Sequence, residues 1–337
     1  MKEAKLYKKK DNGKVECFTC AHKCTISPGK RGICGVMENR EGILYSLVYG
    51  KTIAANTDPI EKKPLFHFLP GTLSFSMATV GCNMQCKHCQ NADISQMPRV
   101  NNNIVGEKLL PEEIVQAALH HKCESIAYTY TEPSIFWDYA FDTAKLAKEK
   151  GIKNVFVTNG YFSQESFQKI SEYMDGANVD LKSFNDQTYK EICGARLKPV
   201  LETIERMKAA DVWVEVTTLL IPNVNDFNQE LKEMADFIER CDPDMPWHIS
   251  RFFPTYKMLD KLPTQVESIW RAMEIGHEAG LHFVFTGNVR GDEGENTYCY
   301  ACGTRLIHRI GFQVKENILK DGKCPQCGTE IKGVWKI

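Results

Sequence analysis

From about residue 73 to 287, short runs rich in Val, Ile, Phe, Tyr and Thr alternate strictly with longer segments of helical period. The strand-like runs are LSFSMATV (73–80), SIAYTY (125–130), KNVFVT (153–158), ANVDLK (177–182), VWVEVTTLLI (212–221), WHISRFF (247–253) and HFVFT (282–286). Several of the segments between them, among them PEEIVQAALHHK and NQELKEMADFIERC, begin with Pro, Ser or Asn, and several end near Gly, as helices tend to. This alternation demands a parallel sheet with right-handed crossovers, either doubly wound or a complete or partial barrel. Cys82, Glu132, Asn159, Asp180, Lys182, Arg251 and Asn288 fall at or just after strand C-terminal ends, the face where barrels carry chemistry.

The flanks read differently. Residues 1–72, with CFTCAHKCTISPGKRGICG and DPIEKKPLFHFLPG, are punctuated by Gly and Pro and predict a Cys-rich N-terminal cap. Residues 73–290 predict the barrel, and 291–337 a small unit too short to rely on an apolar core alone. The 42 Lys+Arg against 43 Asp+Glu leave no global signal for nucleic acid or a membrane surface. No apolar run is long enough to span a bilayer and MKEAKLYKKK lacks the core of a secretory signal, so the expected compartment is the cytoplasm.

In a reducing compartment, grouped thiols are metal ligands rather than disulfides. Eleven of the 14 cysteines are grouped: Cys17, Cys20, Cys24 and Cys34; then Cys82, Cys86 and Cys89; then Cys299, Cys302, Cys324 and Cys327. The last four form two C-x2-C-G turns, a tetrahedral S4 pattern for zinc in a ribbon, with a rubredoxin-like iron as the other occupant. The first four have the count for one closed site, and zinc and an auxiliary [4Fe–4S] cluster both fit it.

The middle group, in GCNMQCKHCQN (81–91), supplies three ligands. Four cysteines close a [4Fe–4S] cube, so three leave one iron open, as zinc enzymes leave one coordination position open for reaction. An incomplete zinc site finished by His88 is the competing reading. The spacing C-x3-C-x2-C, directly after the first strand of a parallel α/β domain, resembles the radical S-adenosylmethionine (SAM) superfamily. That resemblance implies a partial (β/α)6 barrel of TIM-like form with a [4Fe–4S] cluster and SAM in its mouth. It also implies reductive cleavage of SAM to a 5′-deoxyadenosyl radical that abstracts hydrogen from a substrate.

The same resemblance assigns roles around the mouth. YTYTEPSIF (128–136) stands where members carry a GGE-type motif that holds the SAM amino group, with Tyr130 and Thr131 in place of the glycines and Glu132 retained. VTNGYF and VDLKSFND are similar to strand ends of activating enzymes for glycyl-radical proteins such as pyruvate formate-lyase. By that similarity Asp180 and Lys182 lie beside SAM and Asn159 near its sugar or the substrate, while Asp180 and Lys182 also share a face and can pair. Arg251, in WHISRFFPTYK, is the candidate carboxylate contact or a surface ion pair. Cys193, in EICGARL, is the candidate for a radical or thiolate role; Cys123 and Cys241 are expected to be inert.

Taken over the whole chain, the N-terminal cysteines with GKRGICGV, DPIEKKPLFHF, GCNMQCKHCQN, SRFFPTYK, TGNVRG and the terminal ribbon resemble the AmmeMemoRadiSam system radical SAM enzymes, which are pyruvate formate-lyase activating enzyme-like. This implies AMMECR- and Memo-type partners and a low-potential electron donor of flavodoxin or ferredoxin type. The competing functions are activation of a glycyl-radical protein and, from another class, a multi-metal electron-transfer or binding protein without SAM chemistry.

Overall fold

The computed structural model describes residues 1–336. Its centre is one eight-stranded sheet. The strands are β1 (Ala54–Pro59), β2 (Leu73–Ala78), β3 (Ser125–Tyr128), β4 (Lys153–Thr158), β5 (Gly176–Asp180), β6 (Trp213–Leu220), β7 (Trp247–Arg251) and β8 (Val284–Gly287). Strands β2 to β8 are parallel, and β1 pairs antiparallel with β2. Each strand hydrogen-bonds the next in chain order, so the sheet has no reversal point of the doubly wound kind. β1 and β8 are not paired with each other, so the barrel is partial.

Six helices make the crossovers: α1 (Pro111–His120), α2 (Trp137–Glu149), α3 (Gln164–Ile170), α4 (Leu197–Ala209), α5 (Asn228–Cys241) and α6 (Val266–Glu278). Their apolar stripes explain the packing. α4 buries Leu197, Val200, Ile204 and Met207, spaced three or four residues apart on one face. Burying each stabilises the fold by about 1.5–3 kcal/mol, and Ile204→Ala would cost about 2–5 kcal/mol. α6 packs tightly on the sheet at Gly276, where a Cβ would stand 2.9 Å from Val284 Cγ2. Every residue of β3 is buried, as expected of a strand covered on both faces.

The first 46 residues hold two small antiparallel sheets: Lys2–Glu3 with Ile43–Ser46 and Met37–Arg40, and Tyr7–Lys9 with Val15–Cys17 and Thr25–Ile26. This N-terminal module leans on the mouth of the barrel, where Ala21 N–H donates to Tyr161 O at 2.9 Å, three residues beyond β4. The C-terminal module, the sheet Thr297–Tyr298, Arg305–Ile310 and Gln313–Asn317, docks at the opposite end. There Phe66, Phe283 and Phe285 pack with Leu306, Ile307 and Ile331. Near the start of β6, the buried Glu215 accepts the N–H groups of Phe66 and His67 at 2.9 and 2.8 Å and pairs with His248 at 2.6 Å. Among the described residues, no helix is long and apolar enough to cross a membrane.

Candidate active site

After β2 the chain does not turn straight into a helix. It first forms a loop pressed against the N-terminal module at Gly81, where a Cβ would stand 2.7 Å from Val36 Cγ1 and 3.1 Å from Cys34 O. Gly81 has φ +99°, a conformation that glycine alone adopts cheaply. The loop then carries Cys82, Cys86 and Cys89. Arg99 braces it, donating through Nη2 to Cys82 O at 2.8 Å and Met84 O at 2.5 Å. Gln85 and Lys87 donate their N–H groups to Cys193 O at 2.7 Å and Ile192 O at 2.9 Å. The loop is thereby stitched to the π-helical turn Tyr189–Cys193, a kind of distortion frequent at functional sites.

Cys82 Sγ receives Met84 N–H at 3.4 Å and the Asn159 amide at 3.8 Å. Burial first, and then the charge of Glu132, push its thiol well above the usual range. Cys89 Sγ lies 3.3 Å from Ser95 Oγ. Cys86 faces Cys193 with the sulfurs within 4.8 Å; the neighbouring thiol, aided by the Lys182 ammonium, holds the Cys86 thiol below its ordinary value, while the Cys193 thiol is pushed well above its own. Cys86, His88 and Cys193 bring their ligand atoms within 4.8 Å of one another. His88 is buried with neither ring nitrogen partnered, and burial drives it down to about 3. Cys82, Cys86 and Cys89 do not close to that separation as a group. Soft thiolates on one loop, hydrogen-bonded through sulfur yet too spread to share one ion, fit an iron–sulfur cube.

Glu132, four residues beyond β3, is completely buried, accepting Ser134 N–H at 2.9 Å, Thr158 Oγ1 at 2.9 Å and Asn159 N–H at 2.8 Å. Burial raises its pKa, and these donors oppose the rise. A carboxylate has about four lone-pair sites, so three donors leave capacity for one more. Tyr130 has φ +61°, the left-handed region where glycine is at ease. Its hydroxyl donates to Asp58 and Thr131 Oγ1 donates to Thr79 O, so both side chains are engaged by protein. Asn159 donates its amide to Asn83 Oδ1 at 2.7 Å, and Asn83 donates to Ser134 Oγ at 3.1 Å.

Asp180, at the end of β5, and Lys182, two residues beyond it, pair, with Lys182 Nζ 2.9 Å from Asp180 Oδ2. Burial works against the Lys182 ammonium, but Asp180 and the Cys86 and Cys193 thiols outweigh it and raise the pKa well above normal. Arg251 ends β7 and donates Nε to Thr264 O at 2.6 Å, with its guanidinium over the Phe253 ring. Among the described residues it forms no ion pair, and no hydrogen bond links it to the cysteine loop or to Asp180 and Lys182. Asn83 and Arg99 are the parts of this constellation that sequence reading passed over. Asn83 lies inside the three-cysteine motif and was legible as a neighbour, whereas Arg99 is placed only by the fold.

At the other end, Cys299 and Cys327 sulfurs are 3.6 Å apart, Cys302 and Cys324 sulfurs 3.7 Å apart, and all four lie within 4.8 Å. Metal–sulfur bonds of about 2.3 Å in a tetrahedron give edges of about 3.8 Å. Gly303 and Gly328, at φ +71° and +78°, close the two turns. The geometry is that of a single-ion site.

The Radical SAM superfamily model matches residues 77–238, from within β2 to the last turns of α5. Uncharacterized protein MJ0808 of Methanocaldococcus jannaschii is 44% identical over 334 residues, which span 98% of this chain and 99% of that protein. The pyruvate formate-lyase-activating enzyme of Clostridium pasteurianum is 24% identical over 165 residues, 47% of this chain and 66% of that enzyme. In fold, the chain resembles a radical SAM methyltransferase from Sphaerobacter thermophilus, with TM-score 0.52, 16% identity and 71% of each chain covered. Sequential strand order and a three-thiol loop after the first parallel strand accord with the family match: residues 77–238 form a domain of the radical SAM superfamily.

Proposed function

We propose that Cys82, Cys86 and Cys89 hold the superfamily's [4Fe–4S] cluster and that SAM lies across the adjoining strand ends. The observation that carries this is the convergence of Glu132, Asn159, Asp180 and Lys182 on the cysteine loop from three successive strands. When bound, the cluster supplies the electron for reductive cleavage of the SAM sulfonium, and hydrogen abstraction from a small-molecule or protein substrate follows. The protein's own part is orientation. Glu132 offers its remaining acceptor capacity to an ammonium, as do the backbone carbonyl of Thr131 and the second lone pair of Tyr130 O, which already accepts Asn91 Nδ2 at 2.8 Å. The Asp180-fixed ammonium of Lys182 faces the thiols, and Asn159 holds the Cys82 side of the loop. Arg251 and Cys193 border this space, Arg251 as a carboxylate contact and Cys193 as a thiol beside the reacting centre.

A second reading, activation of a glycyl-radical protein, is favoured by the similarity to the Clostridium pasteurianum activating enzyme. Both readings call for a low-potential one-electron donor of flavodoxin or ferredoxin type, and AMMECR- and Memo-type proteins are the partners to test first. The C-terminal quartet is assigned zinc, on its single-ion geometry. The deciding experiment is anaerobic: reduced, reconstituted wild type should release 5′-deoxyadenosine from SAM, and Cys86→Ala should lose both that release and the SAM-responsive electron spin resonance signal. Cleavage by Cys86→Ala at the wild-type rate would reject the ligand assignment. Reversible redox without SAM cleavage in the wild type would leave only an electron-transfer protein. A glycyl radical in an added candidate protein would select the second reading.

A further inference from the structure

The N-terminal cysteines pose a separate question. Val15–Cys17 ends in a turn that carries Cys20, and Cys17 N–H donates to Cys24 O at 3.0 Å, closing the turn. Cys34 enters from a second turn, in which Gly35 N–H donates to Gly32 O at 2.9 Å. The two turns meet: Lys23 N–H donates to Cys20 O at 3.1 Å, and a Cβ on Gly32, two residues before Cys34, would stand 3.6 Å from Cys24 Sγ. Yet no three of them bring their sulfurs within 4.8 Å of one another, as the C-terminal quartet does.

That difference discriminates between occupants. One tetrahedral ion needs sulfur–sulfur edges of about 3.8 Å, and the C-terminal pairs at 3.6 and 3.7 Å meet it. Four sulfurs that converge but stand further apart suit a centre in which each binds its own iron.

Polar groups stand beside the quartet. Thr19 Oγ1 lies 3.3 Å from Cys17 Sγ. A hydroxyl donating to sulfur stabilises a thiolate. The Arg99 guanidinium acts on Cys34, and its Nε and Nη1 are buried without a protein partner. Cys17, Cys20 and Cys34 are 5%, 7% and 8% exposed, so unligated thiolates would be costly there. Free thiols acting as small apolar residues would account for the burial of Cys17, Cys20 and Cys34, but not for the two Arg99 nitrogens, Nε and Nη1, buried beside them without a protein partner.

We propose that Cys17, Cys20, Cys24 and Cys34 bind a second [4Fe–4S] cluster, fully ligated by protein, immediately behind the Cys82–Cys89 loop. The adjacency is direct. Cys34 O packs on Gly81, the residue before Cys82, and His22 Nε2 lies 2.9 Å from Asn83 O. Cys20 forms a β-bridge with Phe162, three residues from Asn159. With no open iron, the centre takes up and gives back one electron without making or breaking a bond. Its donor is a reduced low-potential flavin or iron–sulfur protein. This goes beyond the SAM reading and does not depend on it.

The test is metal analysis of the triple variant Cys82→Ala/Cys86→Ala/Cys89→Ala, reconstituted anaerobically with iron and sulfide. The expected result is about four irons and four sulfides per chain, with a reduced-state electron spin resonance signal indifferent to SAM. Iron and sulfide at background with two zinc ions per chain, or only about two irons, would overturn the proposal. Should the variant fail to fold, wild-type chain decides. About eight irons are expected, with SAM perturbing one half of the reduced signal, and Cys20→Ala should halve the iron while keeping the SAM-responsive half. Four irons in the wild type, all SAM-responsive, would overturn the second cluster and leave the first reading intact. Retention of four irons by the triple variant with no SAM cleavage by wild type would do the reverse.

Discussion

Glu132 Oε2 accepts the backbone N–H of Asn159 at 2.8 Å, so the acid in the loop after β3 fixes the residue that follows β4. Asn159 in turn reaches toward Cys82 Sγ at 3.8 Å, making a buried relay from carboxylate to thiol loop. Replacing Glu132 by Gln turns one acceptor into a donor facing other donors, at a cost of about 1–3 kcal/mol. Glu132→Gln should therefore keep its iron but cleave SAM at least about ten-fold more slowly, since each 1.4 kcal/mol on a barrier is ten-fold. Iron content and 5′-deoxyadenosine release, measured side by side, check this. An unchanged rate would remove Glu132 from the site.

Lys182 is the fixed cation at the mouth, held by Asp180 at 2.9 Å. Charge-assisted hydrogen bonds contribute about 1.5–3 kcal/mol, or roughly 10- to 100-fold in affinity. Lys182→Met should weaken SAM binding by that factor while iron content stays constant, as read by titrating the reduced resonance signal with SAM. If the ion pair is purely structural, binding will be unaltered and only the unfolding midpoint will fall.

Asp138, in the first turn of α2, accepts Lys5 N–H at 2.9 Å, and burial raises its carboxyl from 3.8 to about 6. The folded state thus keeps this proton to higher pH than the unfolded chain. The neutral acid's contribution is complete below about pH 4 and is lost as pH rises through 6. Asp138→Asn, which keeps the acceptor and never ionises, should stabilise the protein at pH 8 by about 1–3 kcal/mol. Urea unfolding at both ends of the range tests the sign, because the advantage should vanish near pH 4. A difference independent of pH would contradict it.

The C-terminal quartet should carry one zinc ion whose removal is felt as lost stability. Cys324→Ala should shed it, leave iron unchanged and lower the thermal midpoint, because this short module has only Leu306, Ile307, Ile331 and a few neighbours as apolar core. SAM cleavage at a temperature well below that midpoint should match wild type. A fall in cleavage without a fall in stability would instead connect the module to the chemistry.

The sequence made the barrel legible because strands buried on both faces read as apolar runs and crossover helices carry a regular stripe. Strand ends were less so: 177–182 and 247–253 stop at Asp180 and Arg251, where the pleat gives way to loops that hold side chains. The strand Ala54–Pro59, the sheet's antiparallel edge, lies inside the stretch read as a cap, since AANTDP carries no apolar alternation. The two small sheets before it are built of strands of two to four residues, too short for any period to register. Around the site, Cys82, Glu132, Asn159, Asp180 and Lys182 announced themselves by standing at strand ends. The contact of Cys193 with Cys86 depends on a π-helical turn more than a hundred residues along the chain, which local pattern does not encode. Arg251 spends its Nε on Thr264, a partner fixed by the path of a loop.

The two terminal cysteine quartets sit at opposite ends of the same strands, one against the mouth and one beneath the strand starts. A chelator selective for zinc and an oxidant that dismantles iron–sulfur centres should therefore injure this molecule in separable ways. The first would loosen its base and leave the catalytic end assembled. The second would silence that end while the base stays knotted, so an inactive preparation can still melt cooperatively and pass for sound.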